Sequence, residues 1–436
     1  MNIKKNIFSN QFNIFDIFIL LVPFSIIIGN FLINFNLIFL ILLGIFKFFD
    51  RLKGLLKKFS IYIILFSVFI LINLLFSDDY NLSTIGILGL LKNIFFSCVF
   101  FLWLKNRKSN FKYFLISISL AIIILSISIL LQFLYFEYQN IPYNRINGLF
   151  LDESVAGSFI VKLLIPSIFY FLIIEKNTKL SFILFILTFG AVLMTGDRAP
   201  AILYFISFFI FLFLNKDINK INATKAILIL LSIILLCFCL SSNLRDKITY
   251  TSEQFGINFL EKFFHNIQYK IFNDKKMSYE RLVELKKTGK NNNFFDTQWY
   301  MHYSKAFEIG KQNILIGSGI KTFRISCKSK EYNTRFENKF DLNYGCATHP
   351  HNIYIEIFAE AGLVGIFFIL FLIYYLNFKS IKNQNINIKS LALSYIFILF
   401  FPLQTTGSFF STFNGIFYFI CLSLVLHFNN YYKSIK

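Results

Sequence analysis

Apolar residues come in long runs along this chain rather than in alternation. Stretches close to the ~20 residues a helix needs to cross a hydrocarbon core recur near 14–29, 31–49, 60–76, 85–104, 113–136, 154–174, 179–194, 199–214, 225–242, 352–378, 390–405 and 412–428. The pattern predicts an all-α polytopic membrane protein with about twelve transmembrane helices. The joints between runs sort by charge. Every second joint is basic: Lys47, Arg51, Lys53, Lys57 and Lys58, then Lys105, Arg107, Lys108 and Lys112, then Lys176 and Lys179, then Lys216, Lys220 and Lys225, and last Lys379, Lys382 and Lys389. The others are short and poor in lysine, as at Ser77-Asp78-Asp79-Tyr80. Lysine and arginine mark the cytoplasmic side, so this parity places both termini in the cytoplasm.

One joint is of a different size. Residues 243–350 form a polar segment of about 108 residues that the parity puts outside, and a loop so long is commonly a lid or a binding domain. Glu261–Tyr269, Tyr279–Lys287 and Gln298–Lys311 read as helices, Asn291-Asn292-Asn293 as a turn, and Gly317-Ser318-Gly319 as a second turn. The chain thus divides into an N-terminal bundle (1–242, about nine spans), an outer, mostly helical loop domain (243–350) and a C-terminal group (351–436, about three spans).

Composition agrees: 56% hydrophobic and 15% charged residues exclude an ordinary soluble domain. The net charge of +20 suggests nucleic acid at first, but its lysines lie in the joints, and with no soluble domain to carry such binding no nucleic-acid partner is expected. Met1 to Lys5 is basic, yet no small-residue site follows the first apolar run, so no cleavable signal peptide is expected.

Candidate chemistry gathers on the outer side. Thr348-His349-Pro350-His351-Asn352 stands where the polar segment meets the run from Ile353 to Phe378. Thr348 reads as an N-cap and Pro350 as a first-turn residue, which puts His351 in the first turn of a helix whose free N–H groups favour an anion. Gly196-Asp197-Arg198 occupies a second outer joint; an arginine between apolar runs is costly unless it works, or pairs with its neighbour Asp197. A third outer joint supplies Arg145 and Gly148, then Asp152 and Glu153, the latter a rival to the histidines as a base. Arg324 follows the glycine turn. Cys98, Cys237, Cys239 and Cys421 lie in or beside apolar runs and read as packing residues, whereas Cys327 and Cys346 both fall in the outer segment. A disulfide is the leading reading of that pair, closing a roughly 20-residue loop worth around 3 kcal/mol. Cys346-x-x-His349-x-His351 with Cys327 could instead be a metal cluster, but it lacks a second pair at ligand spacing, so no metal and no cofactor is expected. Arginine grips phosphate oxygens and neutral imidazole takes a hydroxyl proton, so the expected substrate is an anionic lipid diphosphate.

These residues carry a resemblance. His349-Pro350-His351-Asn352-Ile353-Tyr354 through Glu360-Ala361-Gly362-Leu363-Val364-Gly365 resembles the His-Asn opening and Glu-x-Gly-x-x-Gly sequel of the O-antigen ligase and O-antigen polymerase superfamily. Ala306 through Gly317-Ser318-Gly319 to Phe323 is similar to its Pro-x-x-Gly-x-Gly-x-x-x-Phe turn, with Asn313 in place of Pro. Thr195-Gly196-Asp197-Arg198-Ala199 and Arg145-Ile146-Asn147-Gly148-Leu149-Phe150 resemble two further elements, in the family's order. The resemblance implies a metal-independent, inverting glycosyltransferase of the bacterial inner membrane, with its active site facing the periplasm. Its donor would be a glycan on undecaprenyl diphosphate. Its acceptor would be lipid A-core for a ligase, or another lipid-linked repeat unit for a polymerase. Arg198 matches an arginine proposed to hold the diphosphate, and His351 the histidine proposed to activate the acceptor hydroxyl. Ligases carry a second arginine seven residues before the Ala matching Ala306, where this chain reads Gln298-Trp299-Tyr300-Met301-His302-Tyr303. Either His302 or Arg324 takes over part of that role, or the donor is handled differently. A lipid or glycan transporter is the distant alternative, and it would need ionisable residues deep in paired, broken spans.

Overall fold

The computed structural model describes residues 13–106, 108–139, 141, 143, 145–151, 153–214, 220–241, 244, 298–332, 346–382 and 385–431. Among them all regular structure is helical, and every apolar run is a helix: α1 (Ile14–Ile28), α2 (Asn30–Lys58), α3 (Ser60–Leu75), α4 (Tyr80–Asn106), α5 (Lys108–Tyr138), α6 (Ala156–Phe169, continued by a π turn at Tyr170–Ile174), α7 (Thr178–Met194), α8 (Arg198–Leu214) and α9 (Lys220–Leu240). The long polar segment contributes α10 (Gln298–Gln312) and the short α11 (Phe323–Ser326), and α12 (Ile353–Ile381), α13 (Ile386–Phe400) and α14 (Thr412–Tyr431) follow. The helices expected at 261–269 and 279–287, and the turn at 291–293, lie outside the described residues, as does Asp152.

α2, α4, α5, α12 and α6 with its π turn are long and apolar enough to cross a membrane; α1, α3, α7, α8, α13 and α14 are shorter apolar helices. Many of their outward side chains are large and apolar, with Phe31 84% and Phe46 83% exposed, a surface suited to lipid rather than water. Several helices overrun the apolar stretches that announce them. α2 continues through the basic residues 47–58, bending at Phe48 (φ −119°, ψ 22°), and Phe59 alone separates it from α3. Lysine, arginine and leucine are good helix formers, so the helix ends where geometry requires and not where hydrophobicity does. α4 starts five residues before its apolar run, at Tyr80, because Asp79 caps it: Oδ1 accepts from the Leu82 N–H at 2.8 Å.

The packing is helix on helix, with α14 against α4, α13 against α8 and α10 against α12. Some interior polar groups pair across helices, as where the Trp103 indole donates to Asp16 Oδ1 at 2.7 Å.

What positions the site is a break in α12. Gly362 stands at φ 64°, ψ −162°, and a hydrogen-bond exchange follows from it. In an unbroken helix Leu363 and Val364 would donate to Ala359 and Glu360. Here they donate to the Ile314 (2.8 Å) and Leu315 (3.2 Å) carbonyls, and the released Ala359 and Glu360 carbonyls accept from Ser318 (2.9 Å) and Gly319 (3.1 Å). The turn 313–320 therefore docks backbone to backbone on the helix, and the two N–H groups and two carbonyls released at the break all find partners there. Two glycines make the approach possible: a Cβ at Gly362 would lie 2.4 Å from the Leu315 carbonyl carbon, and one at Gly317 would lie 2.3 Å from that of Glu360. Asn73 of α3 closes the joint, donating to the Ile316 (2.7 Å) and Glu360 (2.8 Å) carbonyls and accepting from the Ile320 N–H (3.1 Å). Gly362→Ala is expected to expel the turn. Limited proteolysis between α10 and α12 should speed up in that variant while membrane insertion is unchanged.

Candidate active site

Helix α12 begins at Ile353, so the histidines precede it. The cap is Asn352, whose side chain accepts from the Tyr354 (3.0 Å) and Ile355 (3.2 Å) N–H groups. This corrects the expected start at Thr348 with Pro350 and His351 in the first turn. Pro350 disfavours helical geometry in the residue before it, and the Asx cap lies beyond. His351 takes the left-handed conformation instead, at φ 60°, which costs a non-glycine residue about 1 kcal/mol or more. The cost is offset by external ties: the His351 carbonyl accepts from the Thr406 N–H at 2.8 Å, and Asn352 Nδ2 donates to the Pro402 carbonyl at 2.6 Å.

The tight turn stacks the two imidazoles, with ring centroids 4.2 Å apart. Helix α10 brings the rest: His302 lies 5.4 Å and Trp299 4.9 Å from the His351 ring. Cys327 and Cys346 form a disulfide, with Cα atoms 5.6 Å apart, ending three residues before His349. Lys305, buried on α10, reaches the Cys327 carbonyl (3.3 Å) and Cys346 Sγ (3.5 Å). Among the described residues no group of His, Cys, Asp or Glu is placed to hold a metal ion.

The histidines differ in what they can do. His349 Nε2 faces the Thr406 carbonyl at 3.2 Å, which only accepts, so that nitrogen carries the proton; Nδ1 then accepts from the Thr348 hydroxyl at 2.9 Å. Both nitrogens of His349 are thereby occupied. Burial, then the Thr406 hydrogen bond working in opposition, and the charges of His302 and Arg324 leave its pKa lowered to about 4. Burial, followed by His349, His302 and Arg145, lowers that of His351 to about 3. Both rings are neutral at pH 7, the form that accepts a proton. Because the folded values lie below the ordinary 6.5, the native protein binds fewer protons than the unfolded chain as pH falls from 6.5 through 4 and 3. The stability these rings contribute is full above 6.5 and is lost through that window. The Trp299 emission, taken as the difference between wild type and Trp299→Phe, is expected to quench near pH 3–4 and not near 6.5 as His351 charges.

The arginine elements join the same region. Arg145 Nε pairs with Asp197 Oδ1 at 3.2 Å, and the Ile146 N–H donates to the Thr195 carbonyl at 3.2 Å. Asp197 is thus bridged to the preceding joint rather than only to its neighbour Arg198. Arg145 is also among the charges that act on His351, after those of His349 and His302. Arg198 opens α8 with its side chain exposed. Gly148 (φ 56°) and the buried Phe150, packed on Phe159 and Phe413, seat the Arg145 element. Arg324 acts electrostatically on His349, Glu356 and Glu360, and its Nε is buried without a hydrogen-bond partner among the described residues. Glu153 lies exposed in the turn before α6; among the described residues no hydrogen bond or ion pair ties its carboxylate to the histidines.

Sequence reasoning missed Thr406, Glu356 and the role of Glu360. Glu360 accepts from the Lys321 (2.5 Å) and Phe323 (3.1 Å) N–H groups, fixing the turn that leads into α11 and Arg324. Glu356 and Glu360, one helical turn apart in an apolar run, were a readable signal, since such carboxylates are costly and need a task. Thr406 works through its backbone and leaves no such signal.

No curated protein matches the chain. Residues 183–370 match the family model described as O-antigen ligase. That similarity takes in α8 with Arg198, helix α10, the glycine turn and the histidine pair.

Proposed function

We propose that the chain is an O-antigen ligase-like glycosyltransferase of the bacterial inner membrane, moving a glycan from undecaprenyl diphosphate to a hydroxyl of lipid A-core at the periplasmic face, with both termini cytoplasmic. The domains read from the sequence serve this reading: the spans of 1–242 and 351–436 frame the lipid-facing site, and the segment 243–350 supplies α10 and the glycine turn. The observation that carries it is a neutral His351 within the electrostatic reach of Arg145, whose partner Asp197 stands next to the start of α8. Arg198 and Arg145 hold the diphosphate, and Arg324 with His302 supports the side from which the ligases' second arginine is missing. The acceptor oxygen attacks the anomeric carbon, its proton passes to His351, and the bond from that carbon to the diphosphate breaks. Lipid diphosphate leaves with inverted stereochemistry at the sugar. A bound dianion beside His351 raises the basicity of the imidazole, so the ring becomes a competent base once the donor is in place. His349, saturated by Thr406 and Thr348, orients the turn.

Blotting lipopolysaccharide from a deletion strain tests this. Loss of a ligase leaves long glycans on the lipid carrier and bare core. Single-repeat caps on core would instead identify a polymerase, and an unchanged profile would remove the transferase reading.

A further inference from the structure

The segment from Pro402 to Ser411, between α13 and α14, belongs to none of the motifs above and lies beyond the matched residues 183–370. Its backbone nevertheless holds both histidines, since Thr406 donates to the His351 carbonyl and accepts from His349. The segment is itself fixed from below. The buried Glu356 carboxylate accepts from the Phe409 N–H at 2.7 Å and from the Ser408 hydroxyl. Gly407 lies so close to Asn414 that a Cβ there would stand 1.8 Å from Nδ2. Asn414 is held in turn, its Oδ1 taking the ammonium of Lys162 at 2.8 Å, and Lys162 is only 3% exposed. A lysine and a carboxylate buried among apolar helices are expensive to keep; Glu356 grips this segment directly, and Lys162 grips the Asn414 packed against it at Gly407.

We infer that Lys162 and Glu356 are positioning residues that set the histidine pair through residues 402–411. The inference rests on the transferase reading for its effect on rate, but not for its effect on the imidazoles. A displacement of about 1 Å at a reacting group can cost 100-fold in rate. Nothing in the segment needs to touch substrate for that cost to appear.

Gly407→Ala tests it by driving a methyl into Asn414. Transfer is expected to fall about 100-fold with protein in the membrane unchanged. Adding Asn414→Ser, which clears the methyl and keeps an oxygen for Lys162, is expected to restore most of it. The second readout needs no substrate: diethyl pyrocarbonate modification of His349 and His351, followed by mass spectrometry across pH. In Gly407→Ala it should quicken, with its midpoint moved up towards 6.5, and it should return in the double variant. Should Gly407→Ala not accumulate, Glu356→Ala and Glu356→Gln replace it, and only Ala, which leaves the Phe409 N–H without an acceptor, should free the rings. Wild-type modification in Gly407→Ala, no rescue by Asn414→Ser, or equal behaviour of the two Glu356 variants overturns the inference. Modification and rescue as expected, in a protein whose wild type transfers nothing, overturns the transferase reading and leaves the positioning role standing.

Discussion

His351→Ala is expected to abolish glycan transfer with the protein still present in the membrane, whereas His349→Gln is expected to keep a measurable fraction. The two rings lie 4.2 Å apart, so proximity does not separate them; hydrogen bonding does. His349 spends Nε2 on the Thr406 carbonyl and Nδ1 on Thr348, and a glutamine amide can still donate to that carbonyl. Among the described residues His351 hydrogen-bonds through its backbone carbonyl and its ring only packs on His349, His302 and Trp299, which leaves the ring nitrogens to the site. General-base catalysis contributes about 10²–10⁴-fold, so losing it brings a cell-surface glycan blot to background. Equal loss in both variants would move the base assignment off His351, and full activity in His351→Ala would end it. Glu153→Gln should leave transfer near the wild-type level, because its exposed carboxylate is not tied to the imidazoles.

Arg198→Ala is expected to lower transfer by roughly 10²–10³-fold, the scale of losing one donor to developing negative charge. Arg198→Lys should recover little of it, because a single ammonium cannot make the two parallel bonds that a guanidinium makes to phosphate oxygens. Arg145 needs a different design. Its partner Asp197 is buried, so Arg145→Ala alone takes a cation away from a buried carboxylate and mixes stability with function. Arg145→Ala with Asp197→Asn removes that confusion: transfer that stays low in a well-accumulated double variant assigns Arg145 to the donor. Transfer that recovers makes Arg145 a structural cation. Rates measured with purified lipid-linked glycan decide both cases.

Much of the helical layout was legible because burial in apolar surroundings needs long runs of one character, and those runs are the sequence. The ends were less so. Residues 47–58 read as a joint because they are basic, yet their helix propensity carries α2 through them to Lys58. The site residues from separate joints could be named since arginine and histidine are rare between apolar runs and each demands an account. Their mutual arrangement was not legible, being written in backbone atoms: the exchange of hydrogen bonds at Gly362, the left-handed His351 and the Thr406 clasp involve N–H and carbonyl groups that every residue has. A glycine spacing hints at such a joint, but it does not say which strand of backbone comes to meet it. The Thr348 cap failed for a local reason. Asn352 competes for the same helix start and, lying after Pro350, wins.

The interruption at Gly362 also sets how this protein meets its bilayer. The turn 313–320 grips the helix on both sides of the break, at Ala359 and Glu360 and again at Leu363 and Val364, while further along Phe367, Leu370, Phe371 and Tyr374 face outward. A change in membrane thickness that tilts this apolar piece is therefore expected to pull on the turn as well as on the helix, so that lipid composition reaches the segment leading to Arg324.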